Sequence, residues 1–373
     1  MIASKINSLA VASLFSGCGG LDYGFLNAGY KIQWANEINP DAAKSYAKLI
    51  GHNAVVEDIW PIIDQVPNVD IVIGGPPCQS FSLVGKRLQD DPRGQLVFAY
   101  AQIIESLKPK AFVMENVAGL MASRIDGKRL PLILAEHYTK LGYEVSVLKL
   151  MATDFFVPQR RSRVVLTGHR CRGKEFRLID SDEYARILGV TQLFAPITVA
   201  EALDDLPMPN SKADFSPKPY LNDPHSAYSY LMRRNNPSKV SMHAMPTMSD
   251  LDREFVRHIP PGGNYVNIPD EIATIRIKKF KMSGGRTTTY GRLDPDKPAY
   301  TINTYFNRPN VGANYHHREE RLITVREALR LQSFPDDFTP VYSNQRSLHM
   351  QVGNAVPPLM AGAIACSLAK LFV

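Results

Sequence analysis

Short β-rich runs alternate with helical stretches over residues 8–170. VDIVIGG and AFVMEN are typical of buried strands, and LVFAYAQIIESL between them is typical of a helix. Strands that alternate with helices predict a parallel sheet with right-handed crossovers. YEVSVLKL and RSRVVLTG predict a pair of strands that closes this sheet. The fold class predicted for this part of the chain is therefore α/β.

The character of the sequence changes between about residues 186 and 321. Prolines, asparagines and short polar runs dominate there, without a strong helical period. We predict a second, irregular β-rich domain. After residue 321, TVREALRLQSF and PPLMAGAIACSLAKLF are again helical. The residues of the last helix are small or apolar on almost every face, so we expect this helix to be buried and to pack against the first domain.

Composition excludes several classes of protein. The apolar fraction of 45% is normal for a globular protein with a sizeable core. Four scattered cysteines without a C-x-x-C pair favour neither a zinc site nor a disulfide framework, and free thiols suit a reducing compartment. The apolar run near the N-terminus is interpreted as a first strand, and no run is expected to span a bilayer. The net charge of +7 leans towards a polyanionic partner.

A glycine turn, SLFSGCGGLDYGF, follows the first predicted strand. Gly17, Gly19 and Gly20 let the backbone approach a ligand closely. Glu37 and Asp58 stand at two further strand ends, where nucleotide-binding sheets place an acid on ribose hydroxyls. Either acid alone is as often a helix cap or a solvated charge, but together they predict a nucleoside pocket. No phosphate-binding lysine follows the glycines, which argues against a P-loop, and both a dinucleotide and S-adenosylmethionine remain candidate ligands.

One cysteine is expected at the same edge of the sheet. VDIVIGG leads to Cys78, and Pro76 and Pro77 fix their own φ and restrict the residues before them. A lone cysteine is usually a small buried apolar residue, but the flanks here are Gly, Pro, Gln and Ser. A thiolate nucleophile needs cationic surroundings. Basic residues for this follow in the next loop and in PQRRSR, namely Lys86, Arg87, Arg93, Arg160, Arg161 and Arg163.

Seven segments identify a family. FSGCGG, GPPCQSFS, DPRGQLVF, ENV at 115–117, PQRRSRVVLTG, VREALRLQSFPDDF and QVGNAVPP occur in this order along nearly the whole chain. The chain thereby resembles DNA cytosine-5 methyltransferases of the bacterial restriction–modification type. The resemblance implies a Rossmann-like, S-adenosylmethionine-dependent methyltransferase sheet in residues 1–185. It also implies a target-recognition domain in residues 186–321 and a return segment, residues 322–373, that completes the catalytic domain.

The resemblance assigns catalytic roles. Cys78 is implied as the nucleophile that adds to carbon 6 of cytosine and makes carbon 5 reactive. Glu115 is implied as the group that protonates ring nitrogen 3 or donates to it. Arg161 and Arg163 resemble two arginines around the base and the thiol, and strand alternation places both on one face. Carbon 5 is unreachable in a stacked duplex, so the cytosine is expected to be flipped out.

The resemblance also implies binding residues and partners. S-adenosylmethionine is the implied methyl donor, without a metal, and its contacts are carried over to Phe15, Ser16, Gly17, Gly19, Gly20, Glu37, Ile38, Asp58, Ile59, Pro76, Leu96, Asn354 and Ala355. DNA contacts are expected at Gln79, Ser82, Val84, Lys86 and Arg93. The implied partners are double-stranded DNA and a cognate restriction endonuclease, for a cytoplasmic, nucleoid-associated monomer that binds no membrane.

Residues 276–292 are a further candidate for DNA contact. They carry six basic side chains and no acid, together with Gly284, Gly285 and three threonines that suit a groove or phosphates. Basic residues alone often form a solvated face. Lys279 and Lys281 are the candidates for phosphate contacts, and Arg286 is the candidate for reading a base.

Three alternative functions fit parts of the sequence. Methyltransferases of exocyclic amino groups use Asn/Asp/Ser-Pro-Pro-aromatic, whereas Cys78 follows Gly-Pro-Pro here. A tRNA cytosine-5 methyltransferase shares the same motifs, although the long middle segment favours DNA. A DNA-binding scaffold without activity would not need Cys78, Glu115 and both arginines.

Overall fold

The computed structural model describes residue 6 and residues 8–77, 96–125, 127–235 and 238–373. The chain forms two compact units. The first consists of Met1–Met151, Ser162–Asp180 and Pro358–Val373, and the second of Ala152–Arg161 and Ser181–Pro357. The predicted division into functional domains at residues 186 and 322 follows the motifs and stays a prediction.

A six-stranded sheet forms the centre of the first unit. Its strands are β1 (Ala10–Leu14), β2 (Lys31–Ala35), β3 (Ile71–Gly74), β4 (Ala111–Val117), β5 (Glu144–Met151) and β6 (Ser162–His169). They lie in the order β2-β1-β3-β4-β6-β5, and β6 is antiparallel to both of its neighbours. The predicted α/β fold and the closing strand pair are confirmed. The sheet is not wholly parallel because the connection from β5 to β6, Ala152–Arg161, is too short for a crossover.

Helices connect these strands or follow the last of them in the chain. They are α1 (Gly20–Asn27), α2 (Pro40–Ile50), α3 (Leu96–Leu107), α4 (Leu130–Lys140) and the C-terminal helix (Pro358–Ala369), with 3₁₀ helices at Trp60–Gln65 and Ala118–Ala122 and a short hairpin of Arg124–Ile125 and Lys128–Arg129. Pro40 opens α2 as predicted, and Asn39 caps it by accepting hydrogen bonds from the N–H groups of Asp41 and Ala42.

The C-terminal helix packs closely on α1. A Cβ added to Gly24 would lie only 2.5 Å from the Cβ of Ala361, so a larger residue there would separate the two helices. All but one of the residues of the C-terminal helix are buried. Its predicted burial against the first domain is therefore confirmed.

The main core of the first unit is built around β3, β4 and β6. Val72, Phe112 and Leu166 come from these strands, and Tyr100 and Tyr138 pack on them from α3 and α4. The buried hydroxyl of Tyr100 lies within hydrogen-bonding distance of the carbonyl oxygens of Val72 and Val113, at 3.1 and 3.0 Å. This contact keeps the hydroxyl satisfied and holds α3 against the two central strands.

The second unit is built of short helices and irregular segments. Its helices are α5 (Ser181–Leu188), α6 (Val199–Leu203), α7 (Ala227–Arg233), α8 (Asp250–His258), α9 (Ile275–Ser283), α10 (Val325–Leu331) and α11 (Gln345–Asn354), with 3₁₀ helices at Ala152–Phe155, Tyr265–Asn267 and Pro309–Val311. Its strands have two or three residues, at Gln159–Arg160, Lys218–Pro219, Lys239–Val240, Gly291–Arg292, Ala299–Tyr300 and Ala313–Tyr315.

The prediction that residues 186–321 are β-rich is therefore wrong for their described part. Helices of five to nine residues make too few turns for a clear apolar period to stand out in the sequence. The sequence signal that identifies these helices is the N-cap residue. Hydroxyl side chains accept from an N–H group of the first turn of four of these helices, at Thr198, Ser226, Ser249 and Thr274.

One helical stretch, Gln345–Ala369, is long and apolar enough to cross a membrane, contrary to the expectation that no run has this property. However, 89% of its most apolar window is buried inside the protein. It combines α11 with the C-terminal helix, and such burial is expected of core helices.

Candidate active site

The loop from Phe15 to Gly20 is here called the donor loop. Its backbone conformation is typical of loops that contact a ligand closely. The φ angles of Phe15, Gly17 and Gly19 are 56°, 58° and 92°. Glycine adopts this region readily, but an aromatic residue rarely does, and such strain is common at binding sites. A Cβ added to Gly17 would meet no atom within 4 Å, so this side of the loop is open.

Glu37 ties the donor loop to the end of β2. Its Oε2 accepts a hydrogen bond from the N–H of Gly17, and its Oε1 accepts one from the N–H of Asn39, both over 2.8 Å. Burial raises the pKa of Glu37, while the two N–H donors oppose this shift. The structure thus brings the predicted Gly17 and Glu37 together, and the acid orders the loop.

Ile38 and Asp58 lie near this end of β2. Ile38 directly follows Glu37 and is 63% exposed. Asp58 Oδ1 accepts a hydrogen bond from the N–H of Trp60 over 3.0 Å, at the start of a 3₁₀ helix. The side-chain amide of Asn36 donates to the carbonyls of Val55 and Glu57, which fastens the Asp58 segment to the end of β2.

Other residues predicted to bind the donor have structural contacts in the first unit. The hydroxyl of Ser16 donates to the carbonyl of Asn36. Ile59 is buried in the core, and Phe15 and Leu96 pack against that core while partly buried. These contacts position the segments, and the contacts of these residues with the donor stay predictions.

Glu115 lies beside the segment that leads to Cys78. β3 and β4 pair in parallel up to Gly74 and Met114, so the next residues of both strands run side by side. Glu115 Oε2 would be 3.4 Å from a Cβ on Gly75. The side chain of Asn116 donates to the carbonyl of Pro76 over 2.9 Å. The predicted residues Cys78, Gln79, Ser82, Val84, Lys86 and Arg93 lie outside the described residues.

Arg163 on β6 neutralises Glu115. The Nε of Arg163 lies 2.7 Å from Oε1 of Glu115, with 11% and 9% of the two side chains exposed. The two atoms form an ion pair without the alignment of a hydrogen bond. Because removing one member would leave an uncompensated buried charge, each holds the other in place.

Arg161 has a different environment from Arg163. It is fully buried, and its guanidinium donates to the carbonyls of Ile302, Gly353 and Ala355 over 2.9 to 3.0 Å. Arg161 therefore joins its own segment to two others within the second unit, at Ile302 and at Gly353 and Ala355, which the sequence did not indicate. Asn354 and Ala355 belong to this unit, and their contacts with the donor stay predictions, as does the role of Arg161 beside the base.

The candidates for DNA contact in residues 276–292 lie on α9 and just after it. The ammonium of Lys281 donates to the carbonyl of Ile268 and, over 2.7 Å, to Asp270. Lys281 thus has partners within the protein, whereas Lys279 and Arg286 are exposed.

Sequence reasoning missed two asparagines that hold this edge of the sheet together. Asn36 and Asn116 each donate a side-chain hydrogen bond to the backbone of a neighbouring segment. A signal was present, because each stands next to a predicted acid, Glu37 and Glu115. Within the described ranges, no group of three or more His, Cys, Asp or Glu residues could hold a metal ion.

Comparison with known proteins decides the family. The family model of C-5 cytosine-specific DNA methylases matches residues 9–370. The chain belongs to this family. The type II methyltransferase M.NgoFVII of Neisseria gonorrhoeae is 33% identical over 374 residues, which cover 99% of this chain and 88% of that protein. M1.HphI of Haemophilus parahaemolyticus is 33% identical over 376 residues, which cover 98% and 87%.

Solved structures share the fold of this DNA methylase. A protein encoded in an E. coli prophage and described as a DNA modification methyltransferase has a TM-score of 0.71 and 26% identity, over 98% of this chain and 99% of its own. Dnmt2 of S. pombe, at 16% identity and a TM-score of 0.60, shows the fold alone. The predicted family, fold and enzyme class are confirmed. The protein is a DNA cytosine-5 methyltransferase of the bacterial restriction–modification type, and its methyl donor is S-adenosylmethionine.

Proposed function

We propose that the enzyme methylates carbon 5 of a cytosine flipped out of a specific double-stranded DNA sequence, through a bond between Cys78 and carbon 6. The observation that carries this proposal is the fastening of Gly75 and Pro76 against Glu115 and Asn116. Because Cys78 follows Pro76 by only two residues, the nucleophile segment starts beside the carboxyl that the family motif assigns to ring nitrogen 3.

The residues of the donor loop fit S-adenosylmethionine. This group, when bound, supplies a methyl carbon attached to a positively charged sulfur. Gly17 leaves open space on its Cβ side, and the exposed Ile38 offers a surface for the adenine ring. Glu37 directly precedes Ile38 and would hold the ribose hydroxyls while it keeps the loop ordered.

Glu115 and Arg163 have complementary tasks in ring activation. When the Cys78 thiolate bonds to carbon 6, electron density moves to ring nitrogen 3 and carbon 5, so nitrogen 3 needs a proton or a strong donor. Arg163 fixes the carboxyl of Glu115 through Oε1, which leaves Oε2 beside Gly75. After methylation, the proton on carbon 5 passes to a base and the bond between sulfur and carbon 6 breaks. Ring nitrogen 3 then returns the proton that it received from the protonated carboxyl of Glu115, which restores the aromatic ring and the thiolate.

The oligomeric state and the partners of the enzyme are also proposed. We propose that the enzyme works as a monomer on nucleoid DNA and protects the site of a cognate restriction endonuclease. The support is that M.NgoFVII and M1.HphI are named type II methyltransferases. The mass of the free protein in light scattering tests the first point, and resistance of methylated DNA to the candidate endonuclease tests the second.

Bisulfite sequencing of random duplex DNA tests the reaction. After incubation with the enzyme and S-adenosylmethionine, protected cytosines should share one sequence context. A parallel incubation with transfer RNA should give no 5-methylcytosine. Methylation of the RNA but not of the duplex would contradict the proposal.

Glu37→Ala is expected to weaken binding of S-adenosylmethionine. The variant loses a charged partner of the donor and releases the N–H groups of Gly17 and Asn39. A hydrogen bond to a charged group contributes about 1.5–3 kcal/mol, so calorimetry should show a rise of the dissociation constant of at least about tenfold. Glu136→Ala, an exposed acid on α4 of the same unit, is the control. If both variants bind S-adenosylmethionine with equal affinity, Glu37 has a role in folding only.

Lys279→Ala is expected to weaken binding to every duplex alike. If Lys279 contacts a phosphate, its loss should reduce the slope of log K against log salt by about one unit. Arg286→Ala should instead cost about 1–3 kcal/mol and relax one position of the recognised sequence. If both variants keep the DNA affinity, the salt slope and the sequence preference of the wild type, this segment is ordinary protein surface. Lys281→Ala is not a clean probe, because Lys281 also holds Asp270.

A further inference from the structure

Asp22 is a buried acid without a role in the site described so far. It lies in the first turn of α1, directly after the donor loop, and its side chain is fully buried. The hydroxyl of Tyr46, on α2, donates a hydrogen bond to its Oδ1 over 2.9 Å. Its Oδ2 has no hydrogen-bond partner, and Ser13 of β1 faces the carboxyl without hydrogen-bond alignment. A buried carboxyl with an unsatisfied oxygen is costly, so its presence needs an explanation.

Tyr46 also contacts the donor loop. Its ring lies 3.1 Å from the position that a Cβ on Gly19 would take, and the side chain of Ile50 lies at the same distance. Gly19 is the N-cap of α1 and has a φ of 92°. The ring of Tyr46 therefore packs against this turn. The hydrogen bond to Asp22 fixes the position of the ring relative to α1.

These contacts close a ring around the donor loop. On one side, Glu37 holds the N–H of Gly17 together with the N–H of Asn39. Asn39 caps α2, and α2 carries Tyr46 on a later turn. On the other side, Tyr46 holds Asp22, which belongs to the helix that the donor loop opens. The contacts that link the two sides of the loop thus include the buried hydrogen bond between Tyr46 and Asp22.

We propose that Asp22 and Tyr46 are a positioning pair, which sets the spacing of the donor loop and thereby the affinity of the enzyme for S-adenosylmethionine. The proposal rests on the proposed function of this loop as the donor site. Asp22 acts through Tyr46 and Gly19 and does not itself touch the donor.

The ionisation of Asp22 gives the pair a second signature. Burial raises the pKa of Asp22 to about 6, although the contacts with Ser13 and Tyr46 oppose this shift. Burial also raises the pKa of Tyr46 far above its ordinary value and that of Cys18 to about 12, so both stay protonated. The C-terminal helix, which packs on α1, carries no Asp, Glu, Lys, Arg or His. Glu37, on the other side of the loop, also has a pKa raised by burial, so the variant Asp22→Asn is needed to isolate the contribution of Asp22.

The sign of the pH effect follows from the raised pKa. A carboxyl with a raised folded pKa stabilises the fold fully below its unfolded value of 3.8, and this contribution is lost as the pH rises through about 6. Asp22→Asn abolishes the titration. The melting temperature of this variant relative to that of the wild type should therefore rise as the pH increases from 3.8 to about 6, and should level off above that range.

Calorimetry with S-adenosylmethionine on the full chain tests the pair. Tyr46→Phe and Asp22→Leu should each raise the dissociation constant about fivefold or more, because the hydrogen bond is lost. Asp22→Asn should stay within about twofold of the wild type, because its amide oxygen still accepts from Tyr46. Tyr30→Phe is the matched control, since the hydroxyl of Tyr30 is buried in the same unit and donates to the carbonyl of Ala365.

Steady-state kinetics separate positioning from general damage. In Tyr46→Phe, the KM for S-adenosylmethionine should rise, while kcat at saturating donor and the KM for DNA stay close to the wild type. Wild-type protein that binds no S-adenosylmethionine would overturn the proposed function. If the wild type binds S-adenosylmethionine and both Tyr46→Phe and Tyr30→Phe bind it with the same affinity, only the proposal of the positioning pair is overturned. If Asp22→Leu does not fold, Tyr46→Phe and Asp22→Asn still decide the question.

Discussion

Cys78→Ser is expected to abolish both methyl transfer and covalent capture of DNA. A serine hydroxyl stays protonated at neutral pH and cannot replace a thiolate in the attack on carbon 6. Binding of S-adenosylmethionine should be nearly unaffected, because Gly17, Glu37 and Ile38 do not depend on the sulfur. Duplex DNA with 5-fluorocytosine at the recognised site provides the readout, since fluorine cannot leave carbon 5 as a proton does.

The capture experiment has a clear counter-outcome. Wild-type enzyme with this DNA should give a denaturant-resistant complex, and Cys78→Ser should give none. Cys18→Ser is the matched control, because Cys18 belongs to the donor loop, its side chain is buried, and burial raises the pKa of its thiol to about 12. Capture that persists in Cys78→Ser, or disappears in Cys18→Ser while that variant still binds the donor, would overturn the assignment of the nucleophile.

Arg330→Met is expected to cause a large loss of stability. Arg330 on α10 is fully buried and donates to both oxygens of Asp205, both oxygens of Asp336 and the carbonyl of Ala202. Although burial alone would raise the pKa of Asp336, Arg330 holds that pKa below its ordinary value. Removing the guanidinium leaves two carboxylates buried without this partner, at a cost of about 3–5 kcal/mol.

Urea unfolding at pH 7, followed by circular dichroism, measures this effect. Arg257→Met is the control, because Arg257 pairs with Glu254 and Glu320 on the surface of the same unit, and such exposed ion pairs contribute little. The midpoint should fall strongly in Arg330→Met and remain almost unchanged in Arg257→Met. Similar midpoints for the two variants would show that the buried cluster does not support this unit.

The catalytic sheet and the donor loop could be predicted from the sequence because their signals are local. The glycines of the donor loop directly follow β1, and the acid Glu37 stands two residues beyond the end of β2. The prolines before Cys78 directly follow β3 and Gly75. In each case the residues that make the feature lie within one strand and its following loop, so neighbours in sequence are neighbours in space.

Features that depend on distant contacts could not be predicted in this way. The carbonyls that Arg161 binds lie 141 to 194 residues further along the chain, so nothing near PQRRSR indicates them. The bond between Asp22 and Tyr46 joins two helices, and no motif marks either residue. Lys281 looked like a ligand for phosphate in a basic run, but Asp270, eleven residues earlier, is its partner.

The close packing of the C-terminal helix on α1 has a consequence for how the protein is made. The residues that complete the layer over α1 are synthesised only after the whole of the second unit. A nascent chain on the ribosome therefore exposes the apolar face of α1, including the surface around Gly24, until the last helix arrives. During this interval the exposed face favours aggregation, and a premature stop codon directly after residue 358 would yield an aggregation-prone product that retains every family motif.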